Sequence, residues 1–194
     1  MLLVELRSEV KERGGAKSVL AAVEAYGMLI ELLAGDPEAA VAAGKESCRL
    51  REELGRWSEL STAAGGLASA YVELDRLDEA EQWALRAAEL GAEEDAVTQM
   101  LWRQALARVL ARRGEHDEAE RLAREAVEIG ESTEDLSSKA EVRADLGEVL
   151  ALAGRPQEAA ETFEQALVRF EAKENLVMAG RMRERLAAVR AEVG

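Results

Sequence analysis

Apolar residues recur along this chain at intervals of three and four, with charged and polar residues between them. That spacing keeps apolar side chains on one stripe of a helix, and no segment reads as a strand. The stripes themselves repeat. Leu67, Leu106 and Leu146 are each followed by a small residue (Ala68, Ala107 and Gly147), and four positions beyond the leucine stand Tyr71, Leu110 and Leu150. The leucine and the larger residue lie one turn apart on a buried stripe, and the small residue leaves room for a neighbouring helix.

Each of these predicted helices runs into a turn and a second helix: Asp75-Arg76-Leu77-Asp78-Glu79-Ala80-Glu81, Gly114-Glu115-His116-Asp117-Glu118-Ala119-Glu120, and Gly154-Arg155-Pro156-Gln157-Glu158-Ala159-Ala160. Ala80, Ala119 and Ala159 are spaced by 39 and 40 residues, and seven positions later stand Ala87, Ala126 and Ala166. Alanines seven apart share a helix face and let another backbone approach. The pattern is a helix–turn–helix unit repeated in register.

Leucine, small residue, large apolar residue, turn Gly or Asp, and paired alanines resemble the tetratricopeptide repeat over residues of about 56–172, as three units. The period near 40 exceeds the usual length of about 34, which longer helices absorb. The family's early tryptophan has no counterpart in register, although Trp102 comes close. The resemblance implies an all-α fold, a right-handed superhelical solenoid of antiparallel helix pairs. Four pairs are expected, at about 17–54, 56–91, 94–131 and 133–172. In the first, Tyr26, Leu29, Ile30 and Leu33 form a stripe, and Asp36-Pro37 supplies an N-cap and a first-turn proline. Leu2, Leu3, Leu6 and Val10 suggest an N-terminal helix or cap within residues 1–15. Leu176, Ala179, Met182, Leu186 and Val189 form the stripe of a C-terminal capping helix over 173–194, as an open solenoid end requires.

Composition agrees with a helical reading: alanine is abundant, aromatics make up 4%, and there are only 2 prolines. The formal charge is −14, and residues 31–100 hold 16 acidic groups against 6 basic ones. Such a surface repels phosphates and anionic lipid, so no nucleic acid and no membrane partner is expected. Acidic charge by itself mainly keeps a protein soluble. One cysteine excludes an intrachain disulfide, and neither a signal peptide nor a membrane span is legible, which reads as cytoplasmic.

Candidate chemistry is sparse. His116, the single histidine, falls at the turn position held by Leu77 and Pro156, and reads as a packing or surface residue. Cys48, in a predicted helix, reads as a small core residue rather than a nucleophile. Gly14-Gly15-Ala16-Lys17-Ser18 lacks the spacing and preceding strand of a phosphate loop. Glu93-Glu94-Asp95 and Glu131-Ser132-Thr133-Glu134-Asp135 read as helix caps. Trp57, Trp83 and Trp102 read as packing residues. No cofactor, metal site or enzymatic activity is expected.

In the family resembled, the first helix of each pair lines a concave groove that takes a peptide or a partner helix. Carried over in register, the groove residues are Thr62, Ser69 and Glu73, then Gln104, Arg108 and Arg112, then Glu141 and Glu148. Two arginines there suit a carboxylate of the partner, while the plainer reading is a solvated face with internal ion pairs. The chaperone-binding members use a Lys/Asn-rich clamp, and the one asparagine here, Asn175, lies outside the groove. Residues 92–187 are also similar to the C-terminal helical region of large bacterial signal-transduction ATPases and adenylate-cyclase-like regulators, on Asp95-Ala96-Val97-Thr98-Gln99-Met100-Leu101-Trp102-Arg103-Gln104 and Ala111-Arg112-Arg113-Gly114-Glu115-His116-Asp117-Glu118-Ala119-Glu120-Arg121-Leu122-Ala123. The leading expectation is a non-catalytic scaffold for a protein or peptide. The alternative is a sensor module that binds a small effector and controls an ATPase, cyclase or transcription-factor domain. Self-association into a homo-oligomer through an end helix is compatible with either.

Overall fold

The computed structural model describes Val10 and residues 16–193, and among these all regular structure is helical. Nine helices of 14–18 residues follow Val10: α1 (Lys17–Ala34), α2 (Pro37–Glu53), α3 (Trp57–Glu73), α4 (Leu77–Leu90), α5 (Ala96–Arg112), α6 (His116–Ser132), α7 (Leu136–Leu152), α8 (Pro156–Ala172) and α9 (Leu176–Val193). The chain is an all-α helical-repeat solenoid. The N-terminal stripe of Leu2, Leu3 and Leu6 lies outside the described residues, whereas Val10 is helical.

The turns show why the repeat pattern has its form. Asp75, Gly114 and Gly154 all adopt left-handed backbone, with φ of 56°, 85° and 73°. Each reverses the chain so that the next amide returns to the large apolar residue of the preceding helix. Arg76 N donates to the Tyr71 carbonyl (3.1 Å), Glu115 N to Leu110 (2.9 Å) and Arg155 N to Leu150 (3.0 Å). This closes the helix end with its orphan carbonyls satisfied. Helix starts use the expected acids: Asp36 accepts from Ala39 N (3.0 Å), Asp95 from Thr98 N (3.2 Å) and Asp135 from Ser138 N (2.8 Å). Pro37 and Pro156 occupy first-turn positions where no N–H is needed.

The chain divides into two compact units, residues 1–102 and 103–194. In the first, Leu67, Ala68, Tyr71, Ala80 and Ala87 are buried as the pattern requires, together with Met28, Leu50 and Leu60. The α1 stripe is the exception. Tyr26, Leu29, Ile30 and Leu33 face solvent, Tyr26 at 69% exposure, and α1 instead buries Ala21, Glu24, Gly27 and Met28 against its neighbours. Small residues and a flexible methionine make the closer contact: Met28 Sδ and Cε occupy the space a Cβ would take at Gly44 and Gly66. Trp57, read as a packing residue, is likewise half exposed. A buried arginine ties α2 to α1: Arg51 donates to the Ala21 carbonyl (2.9 Å) and to Ser47, whose own hydroxyl donates to that carbonyl.

In the second unit, Leu110, Leu146, Leu150, Phe163 and Phe170 form the core, with Ala119, Ala126, Ala159 and Ala166 at 0% exposure. Leu106 is half-buried. The α9 stripe closes against α8 through Ala179, Met182, Leu186 and Val189, but Leu176 at the helix start is exposed. No described helix is long and apolar enough to cross a membrane.

Candidate partner-binding face

The residues proposed for the groove lie on α3, α5 and α7, and their surroundings differ sharply. In the first unit Thr62, Ser69 and Glu73 share one face of α3. The Thr62 hydroxyl lies 2.9 Å from that of Thr98, which is fully buried and donates to Asp95 (2.8 Å). Ser69 donates to the carbonyl of Gly65 within its own helix, at 3.3 Å. Glu73 is exposed at the helix end.

The second unit gathers a denser set. Gln104, Arg108 and Arg112 follow one another at turn spacing on α5, opposite Glu141, Asp145 and Glu148 of α7. Gln104 donates to Asp145 (2.8 Å). Arg108 Nε donates to Glu148 (3.1 Å) and stands 3.7 Å from Asp145. Arg112 donates to the other Glu148 oxygen (2.9 Å), and Arg185 of α9 reaches Glu148 at 3.2 Å. Three guanidiniums therefore meet on one carboxylate. Burial alone would raise the Glu148 acid, but Arg108, Arg185 and Arg112 together hold it down to about 2. Asp145, with an amide and one longer cation contact, is instead pushed upward by burial. Carboxylates do stand before the two groove arginines, and they are the chain's own.

Glu141, one turn before Asp145, has no cation within salt-bridge reach among the described residues and remains exposed. Crowding by protein strips water from it, and Asp145 and Asp135 add repulsion, so its carboxyl rises to about 7. The face thus runs from a neutralised, arginine-rich end at Glu148 to an uncompensated acidic end at Glu141. Asp145 and Arg185 were missed in the sequence, although Gln104–Asp145 and Arg108–Glu148 are each about one repeat apart.

Cys48 is buried, and burial, with Glu52 adding and Arg51 opposing, pushes its thiol up to about 12, far from a nucleophilic thiolate. His116 begins α6 half-buried. Among the described residues no group of three or more His, Cys, Asp and Glu side chains is placed to hold a metal ion.

Comparison with known proteins places this architecture. The tetratricopeptide-repeat family matches at residues 97–172 and again at 61–86, together just over half of the chain. The chain belongs to the tetratricopeptide-repeat family. Among solved structures, the repeats are similar to a Rap protein complexed with competence and sporulation factor, with a TM-score of 0.73 and 15% identity over 97% of this chain. They are also similar to apo RapI (0.61, 17% identity, 89% of this chain) and to BtubC from P. vanneervenii (0.56, 17% identity, 98% of this chain and 87% of that one). The chain spans 58% of the first Rap protein and 63% of RapI. At such identities the likeness is one of fold. No curated protein matches in sequence.

Proposed function

We propose that this tetratricopeptide-repeat chain is a non-catalytic scaffold whose first-helix face in the second unit holds a peptide or protein through a cationic group. The observation that carries this reading is the uncompensated Glu141 beside an otherwise fully paired ion cluster. Arg108 and Arg112 are occupied by Glu148 and support the surface rather than reach outward. A lysine, an arginine or an N-terminal amine of the partner would supply the cation that Glu141 lacks, and a charge-assisted bond there is stronger than a neutral one. The Rap relative in complex with competence and sporulation factor shows that a protein of this fold is found with a bound partner.

Selection of binders from a displayed peptide library, followed by calorimetry, tests this. Selected peptides should carry Lys, Arg or a free amine that cannot be removed without loss. Glu141→Lys should weaken them by tenfold or more while circular dichroism stays unchanged. Binders indifferent to Glu141→Lys, or a library without any binder, would sink the proposal. The double reversal of Arg108 and Arg112 to Glu is unsuitable as a test. It sets two new carboxylates against Glu148 in a largely buried site and removes that site's pairing.

A further inference from the structure

A cavity of about 490 Å³ in the first unit has on its lining Lys45, Cys48, Arg49 and Glu52 of α2 and Trp83 and Arg86 of α4, with Leu60 of α3 among the rest. None of the partner-face residues borders it. Leu60 and Cys48, each 2% exposed, supply an apolar floor, and the half-buried Trp83 indole adds an aromatic wall. Its N–H donates to no described residue, so a donor is also left on that wall.

The polar groups are unevenly matched. Lys45 Nζ rests 5.5 Å from the centre of the Tyr71 ring and has no carboxylate within 4.0 Å among the described residues. Arg86 donates to Glu89 (2.8 Å) through one nitrogen, while its other terminal nitrogen is 3.8 Å from Glu52. Glu52 is the one acid on the lining and is only loosely held. A guanidinium has five donors, so Arg86 keeps capacity for a second acceptor.

Arg49, a third cation on the lining, is taken up by Glu46 and Glu53. An apolar floor, an aromatic wall and the two less fully matched cations, Lys45 and Arg86, suit an anion with an apolar body, and the volume falls in the ~300–1,000 Å³ range of small-molecule sites. We infer that the cavity between α2 and α4 binds a small organic carboxylate, its charge between Lys45 and Arg86 and its body against Trp83, Leu60 and Cys48. Glu52 competes with the ligand for Arg86.

Calorimetric titration of the full chain with 2-naphthoate and with its uncharged amide, 2-naphthamide, decides the matter. Saturable binding of the acid, about tenfold tighter than the amide, is expected. Lys45→Met should abolish that preference, Glu52→Gln should tighten the acid several-fold, and Trp83→Ala should weaken both compounds. Lys45 and Glu52 are exposed, so their variants keep the fold. No saturable binding of the acid, equal affinity for acid and amide, or a preference that survives Lys45→Met would each overturn the inference. Because the lining shares no residue with the partner face, peptide binding and its Glu141 dependence stand or fall separately.

Discussion

At Gly147 two physical effects oppose each other, and their sizes decide the outcome. Alanine in a helix interior is favoured over glycine by about 1 kcal/mol. A Cβ at this position, however, would meet two atoms of the Phe163 ring at 2.5 and 2.6 Å, and that ring is fully buried. Overpacking of this kind costs about 1–3 kcal/mol, so Gly147→Ala should lower stability in urea unfolding, whereas propensity alone predicts a gain. Glu141 makes a second test at this scale. Its folded carboxyl, raised to about 7, favours the folded state below the ordinary unfolded value, and this contribution is lost as pH rises through 7. Glu141→Gln should therefore raise Tm at pH 8 and leave it nearly unchanged at pH 5. Glu148 has the opposite sign: its folded value near 2 stabilises above the unfolded value and is lost only as pH falls toward 2. The small residue at 147 was legible in the sequence as a place of close approach. The unequal fates of Glu141 and Glu148 were not, because both are glutamates on one helix and differ only in the cations that other helices bring near.

Among the elements, α1 shows what periodicity leaves open. A 3.6-residue stripe identifies a helix, and α1 is a helix, but Tyr26, Leu29, Ile30 and Leu33 face solvent while Ala21, Gly27 and Met28 face the core. In the repeats proper, two apolar-lined turns and two alanines fix which face is inward. α1 has no such redundancy, and its small residues pack more closely than its large ones. The consequence is measurable. Leu29→Lys with Ile30→Lys should change Tm by no more than about a degree, since surface substitutions usually stay within ~0.5 kcal/mol, and should reduce any self-association seen by light scattering. A loss of several degrees would mean that the stripe is covered after all. α9 falls between the two cases: Ala179, Met182, Leu186 and Val189 are buried as read, but Leu176 at the first turn is exposed.

For the whole molecule the question is which electrostatic effect dominates, the numerous ion pairs or the surplus of acid. Most pairs are exposed, such as Arg86–Glu89 and Lys17–Glu53, and pairs of that kind contribute roughly 0–1 kcal/mol each. The cluster around Glu148 is largely buried and little affected by salt. Against these stand 39 acidic and 25 basic side chains, a net of −14 on a small protein, so self-repulsion acts throughout the folded state. Screening shortens the reach of that repulsion to about 10 Å at 0.1 M salt, at the expense of exposed pairs that add little. Tm should therefore rise when sodium chloride is raised from low to moderate concentration at pH 8, where the charge is greatest. The rise should shrink toward pH 5 as carboxylates begin to protonate. A fall in Tm with salt at pH 8 would show that the exposed pairs outweigh the repulsion. The helical surface would then be held together by its charges, not merely kept apart from other molecules by them.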